Sequence, residues 1–260
     1  MESCRELTTT PISKKMYLGK AHLAKFTEVL APINPGINEQ TGDKVAIKTI
    51  DMQTINNEVT RYLLACEKEA LQVIQNPFVL HAADIIQTEN QCFIITNLCE
   101  GGTLKDYIHK SGTNMFDKGK LSEREALVIF QKLLMGYNAI KDKGFVHRDL
   151  KSSNIMFKRG EPIIIDFGYC EKLFSTKPKV FYNVGSPSYM SPEAYYKTSY
   201  SEKSDLWALG IILFEMLEGH TIDQGLAINR YFNNIIKNGY TISSNVSEGT
   251  KNLLQSLLQI

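Results

Sequence analysis

Asp149, Lys151 and Asn154 lie within six consecutive residues, and Asp166 follows Asn154 by twelve. Asp149 offers a carboxylate that can take a hydroxyl proton. Lys151 brings a positive charge beside it, while Asn154 and Asp166 supply the oxygen ligands that hard cations such as magnesium favour. A base, a neutralising cation and two metal-ligand candidates in one short stretch are the parts that phosphoryl transfer requires. Alone, each has a plainer reading, since most loop aspartates cap turns. The linkage of His147-Arg148-Asp149-Leu150-Lys151-Ser152-Ser153-Asn154 to Asp166-Phe167-Gly168 is what carries the argument.

The elements that must position these groups follow from apolar periodicity and turn residues. Residues 1–15 are polar and read as a loose leader. Val45-Ala46-Ile47-Lys48-Thr49-Ile50 is predicted to be a strand, led in by the turn Thr41-Gly42-Asp43. Residues 56–74 carry leucines at helical spacing and stop before Asn76-Pro77. Strands are expected over 82–87 and 92–98, and then Glu100-Gly101-Gly102 punctuates the chain. Pro32-Ile33-Asn34-Pro35-Gly36 suggests an extended loop. Beyond residue 102 the pattern is mainly helical, with a short helix over 103–109 and a long one over 122–141. Ser122 and Glu125 stand at capping-box spacing at the start of the latter. Strands first and helices later predict an α+β, bilobal architecture. Its small β-rich lobe is expected over 16–98 and its larger helical lobe over 99–260, with a ligand cleft between them.

Composition narrows the classes. With 260 residues, 43% hydrophobic and 22% charged, the chain can bury a full core. A net charge of +1 gives no bulk attraction to nucleic acid or to membrane surfaces. Five scattered cysteines without a C-x-x-C spacing read as reduced thiols, which points to a cytoplasmic or nuclear protein. Residues 1–6 hold no apolar signal core, and Glu2 stands where myristoylation would need glycine. The apolar run over 206–217 is broken by Glu215 and is too short to span a bilayer, so no membrane insertion is expected.

The linked motifs resemble the signature pair of the eukaryotic protein kinase domain, and the resemblance runs over nearly the whole chain. It implies a protein whose cofactors are ATP and Mg2+, or Mn2+ in its place. Asp149 would accept or orient the acceptor hydroxyl proton, with Asn154 and Asp166 as metal ligands. Lys48, closing Val-Ala-Ile-Lys, would touch the α- and β-phosphates and be held by Glu67 on the next helix. Thr96 matches the gatekeeper of the hinge; Asn97 and Cys99 would offer backbone to adenine, and Ala46 and Met156 would sandwich its ring. Asp205 would hydrogen-bond the backbone around His147 and Arg148. Lys151, with Ser186 in the segment 185–193, resembles the serine/threonine class, so the expected partner is a protein substrate bearing a serine or threonine hydroxyl. The stretches 100–104 and 184–190 look most like Unc-51-like or NIMA-related kinases. Ser175, Thr176, Tyr182 and Ser186 are the hydroxyls of the activation loop, and a phosphate there would be able to pair with Arg148.

Two departures from the family stand out. Where it has a glycine-rich loop over the nucleotide, this chain has Gly19-Lys20-Ala21-His22-Leu23-Ala24-Lys25-Phe26. Gly19 remains, while Ala21, Ala24 and Phe26 replace two glycines and a valine. Alanine narrows the conformations that let backbone amides approach phosphate. No arginine matching the family's later partner of Glu193 follows, and the chain stops in or just after a helix over 251–260, so the last helices of the large lobe are expected to be missing. The alternative function is accordingly a pseudokinase, sensing nucleotide or acting as a scaffold for a regulatory partner.

Overall fold

The structure, a computed structural model, describes residues 5–6, 32–111, 119–173, 185–197, 200–223, 232, 235, 237, 239–242 and 246–259. The first part is a five-stranded sheet of β1 (Arg5–Glu6), β2 (Ile33–Ile37), β3 (Lys44–Asp51), β4 (Ala82–Gln87) and β5 (Gln91–Asn97), in the order β1-β4-β5-β3-β2. Pairing is antiparallel except for β1, which runs parallel to β4. Arg5–Glu6 thus forms an edge strand within the stretch read as a leader. Pro32-Ile33-Asn34-Pro35-Gly36, expected as a loop, is mostly strand β2. Pro35 is tolerated because β2 lies at the edge of the described sheet, where a missing N–H breaks no interior ladder.

Strand β3 alternates. Val45 and Ile47 point into the core, while Ala46 and Lys48 share the opposite face. Ala46 pairs with Thr96 and Lys48 with Ile94 across to β5, so Thr96 joins Ala46 on that face. Helix α1 (Glu58–Val73) follows, its N-terminus capped by the Asn57 side chain accepting from the Thr60 N–H. It buries Leu64, Glu67 and Leu71, one stripe at helical spacing.

The helical part comprises α2 (Leu104–Lys110), α3 (Glu123–Asp142), α4 (Pro192–Lys197), α5 (Glu202–Glu218) and α6 (Glu248–Leu257). Two small antiparallel ladders lie among them: β6 (Phe145–Val146) with β9 (Glu171–Lys172), and β7 (Ile155–Lys158) with β8 (Glu161–Ile164). The β7–β8 turn is Arg159-Gly160, both at positive φ, as a two-residue hairpin requires. At α3 only half of the expected capping box forms. Ser122 accepts from the Glu125 N–H, but the Glu125 carboxylate turns outward and accepts from the Tyr107 hydroxyl instead. Helix α5 is apolar nearly all round and buried, as the centre of a large core must be. One apolar cluster runs from α1 through α3 to α5, so both parts of the molecule pack on the same interior.

Candidate active site

Asp149 sits in the loop between β6 and β7 and is 5% exposed. Lys151 Nζ donates to its Oδ2 at 2.7 Å and the Ser186 hydroxyl donates to its Oδ1 at 3.0 Å. Lys151 also reaches Ser186 Oγ at 2.9 Å, closing a triangle of base, cation and hydroxyl. A serine hydroxyl therefore already rests on the carboxylate, a short step from how an acceptor hydroxyl would meet it. Asn154 Nδ2 donates to both the carbonyl and the Oδ2 of Asp149, at 2.9 and 3.0 Å. Two acceptors on that side fix the amide orientation and leave Asn154 Oδ1 facing away, with no hydrogen bond among the described residues.

Asp166 supplies the second oxygen group. Its backbone is left-handed at φ 64°, its side chain is exposed, and Phe167 next to it is fully buried against the His147 ring, 4.9 Å between centroids. The reversal at Asp166 is what turns the carboxylate outward while Phe167 turns in. Magnesium usually takes one or two protein oxygens and completes its shell with phosphate and water. Asp166 and Asn154 Oδ1 fit that demand. The described residues hold no cluster of three or more His, Cys, Asp or Glu suited to a metal, so a cation here would depend on phosphate to complete its shell.

Lys48 comes from the cleft face of β3 and meets Glu67 of α1 at 2.6 Å. Burial lowers the Lys48 pKa, but Glu67 and Asp166 nearby outweigh it and leave the group above the ordinary lysine value. The lysine thus stays charged in the cleft. A Cβ added to Gly168 would sit 3.8 Å from Lys48 Nζ and 3.3 Å from Asp166 Oδ1, so the lysine and the Asp-Phe-Gly turn share one pocket. Thr96 is buried. Asn97 ends β5, where Leu98 N–H bonds the Lys44 carbonyl. Past Cys99, a half-buried thiol that burial pushes up in pKa, the chain is clamped to β7. Gly101 N–H donates to the Phe157 carbonyl at 2.9 Å, and a Cβ on Gly101 would lie 2.6 Å from Phe157 Cβ. Only glycine permits that approach. Met156 is bridged to Thr103 beside the clamp. Gly19, Ala21, Ala24 and Phe26 lie outside the described residues, as do Ser175, Thr176 and Tyr182.

The loop itself is held from beneath. Asp205, 2% exposed on the first turn of α5, accepts from the N–H groups of His147 at 2.7 Å and Arg148 at 3.0 Å. Burial pushes its carboxyl above the usual range, against the pull of those donors. His147 is fully buried: its Nδ1 accepts from Asp149 N–H, so Nε2 carries the proton toward the Ile165 carbonyl. It is a packed residue and touches no solvent. Arg148 has φ 69° and, rather than reaching outward, pairs with Glu171 of β9 at 2.6 Å while its Nε donates to the Tyr169 carbonyl. The neighbouring residue of β9, Lys172, points the other way and pairs with Glu69 of α1. Gly185, at φ 107°, lets the chain pass where a Cβ would be 2.6 Å from the Arg148 carbonyl. Glu193 accepts from the Ser204 hydroxyl.

Sequence reasoning missed two supports. Glu171 gives no periodic signal because β9 is only two residues long. Glu215 did give one, as an acid inside an apolar run; it accepts from Tyr189 and from Ser152 of the loop, and burial raises its pKa.

Comparison with known proteins agrees with this geometry. The protein kinase domain family matches residues 29–260. The mouse hormonally up-regulated neu tumor-associated kinase is 31% identical over 250 residues, 93% of this chain and 33% of that protein. The serine/threonine-protein kinase CLA4 of Saccharomyces cerevisiae is 31% identical over 211 residues, covering 80% of this chain and 25% of its own. The maternal embryonic leucine zipper kinase of Xenopus tropicalis is 29% identical over 226 residues, with 85% and 33% covered. The chain spans between a quarter and a third of the length of these relatives. With the Lys48–Glu67 pair, the Asp149 loop and the Asp166 turn brought to one cleft, and a match over nearly its whole length, the chain belongs to the protein kinase domain family.

Proposed function

We propose that this chain transfers the γ-phosphate of ATP to a serine or threonine hydroxyl of a protein substrate, with magnesium, or manganese, as the cation. The triangle of Asp149, Lys151 and Ser186 carries the reading. It presents a desolvated carboxylate to a hydroxyl and places a cation within 2.9 Å of that hydroxyl's oxygen. Asp149 takes or orients the proton as the hydroxyl attacks, and Lys151 offsets the negative charge that gathers there. Lys48, kept in place by Glu67, binds the α- and β-phosphates; Thr96, Ala46, Met156 and the backbone of Asn97 and Cys99 frame the adenine. A cation held by Asn154 and Asp166 would neutralise charge between the β- and γ-phosphates. Four free cysteines among the described residues fit a reducing compartment, so a cytoplasmic or nuclear location is part of the proposal.

The test is phosphate incorporation from Mg-ATP into a generic serine/threonine substrate by the chain, by Asp149→Asn and by Asp166→Asn. The expected loss is about a hundredfold or more in each variant. Undiminished incorporation in Asp149→Asn would remove the base from the mechanism. A folded chain with no turnover and no melting shift on adding Mg-ATP would favour the scaffolding alternative.

A further inference from the structure

We infer that Glu171 is a positioning residue of the catalytic loop, a built-in anion that holds Arg148 in place of any phosphate added to the chain. The inference rests on the kinase reading above. Arg148 directly precedes the base and is 5% exposed; Glu171 is 7% exposed. Their 2.6 Å contact is therefore a buried ion pair, and a buried guanidinium without a counter-ion would be strongly unfavourable. The carboxylate is aimed by backbone as well: Glu171 is the register partner of Val146, two residues before Arg148, in the β6–β9 ladder. Arg148 Nε is occupied by the Tyr169 carbonyl, and the Tyr200 ring lies 5.5 Å from Cζ. Among the described residues Nη2 is buried and makes no hydrogen bond.

This arrangement has an electrostatic consequence. Arg148 is the cation beside the base to which a loop phosphate would turn, and its charge is already balanced. A phosphoryl group on the chain would bring a charge of about −1.5 to −2 next to the Glu171 carboxylate, so it would meet repulsion as well as attraction. The left-handed backbone at Arg148, fastened by Asp205 on one side and by Glu171 on the other, sets the direction of Asp149 without covalent modification.

The experiment uses the chain as it is, before and after treatment with a protein phosphatase, together with Glu171→Gln and the conservative Glu171→Asp. Turnover of the treated wild type should stay within about twofold of the untreated protein. Glu171→Gln should lower kcat by about tenfold to a hundredfold with KM for ATP nearly unchanged, because the base is misplaced while the nucleotide cleft is intact. Glu171→Asp should recover part of the loss. Amide exchange over residues 145–154 should quicken in Glu171→Gln and be unmoved by the phosphatase. Loss of wild-type activity on dephosphorylation, or a Glu171→Gln variant with wild-type kcat and exchange, overturns the inference. If the wild type shows no turnover at all, the kinase reading fails by itself, and the exchange measurement still decides the role of Glu171. If Glu171→Gln does not fold, Glu171→Asp and the phosphatase comparison decide it.

Discussion

Replacing Asp205 by asparagine exchanges one carboxylate oxygen for an NH2 group and changes little volume, yet it should strike both stability and turnover. The carboxylate accepts from two buried N–H groups, those of His147 and Arg148, at 2.7 and 3.0 Å. Asparagine keeps one acceptor and turns an NH2 donor toward the other N–H. The change therefore removes a charge-assisted hydrogen bond, about 1.5–3 kcal/mol, and leaves a buried donor unmet, about 1–3 kcal/mol more. A combined loss of about 3–5 kcal/mol is expected, and at roughly 2–4 °C per kcal/mol for a domain of this size the melting temperature should fall by about 6 °C or more. This grip is one of the two fastenings that hold Arg148 at φ 69°, so without it the loop should relax and Asp149 should drift from Ser186 and Lys151. A displacement of about an ångström costs on the order of a hundredfold in rate. Calorimetry and steady-state turnover on the same preparation read both effects. A melting temperature and kcat indistinguishable from wild type would refute the claim that Asp205 anchors the loop.

Lys48→Met should abolish most turnover while the fold persists. The stability supplied by Lys48–Glu67 is fully present below the ordinary lysine pKa of 10.5 and is lost as pH rises through the raised folded value. Denaturant melts above pH 10.5 should therefore narrow the gap between wild type and Lys48→Met; a gap constant with pH would count against it. Gly185→Ala should cost about 1–3 kcal/mol for backbone at φ 107° alone. It should also push Ser186 away from Asp149, lowering activity beyond the stability loss. Unchanged activity would show that the passage over the Arg148 carbonyl is less tight than its 2.6 Å spacing implies.

Much of the site was legible because its chemistry is local. Asp149, Lys151 and Asn154 fall in one loop, and the short path to Asp166 leaves few ways to arrange them. Lys48 and Glu67, nineteen residues apart, needed the helix after the strand to be read correctly, and periodicity sufficed for that. Other contacts were illegible for physical reasons. The outward turn of Glu125 depends on Tyr107, a residue of another helix whose approach no capping pattern encodes. Strand β2 was obscured by Pro32 just before it and by Pro35 within it, and the tolerance of Pro35 depends on lying at a sheet edge, a property of the assembled sheet and not of the segment. Glu171 carries no local signal, since its partner sits twenty-three positions earlier.

The two residues of β9 look in opposite directions, so one short strand ties the catalytic loop to helix α1. Glu171 grips the loop that carries the base; Lys172 grips Glu69, two positions along α1 from the glutamate that holds Lys48. Glu67 and Glu69 ride on the same helix, so any rotation of α1 would shift both contacts together. The exposed Glu69–Lys172 pair contributes little, under about 1 kcal/mol, so it is no lock. It acts as a gauge: through one short strand, the tilt of the helix and the set of the catalytic loop are registered against each other.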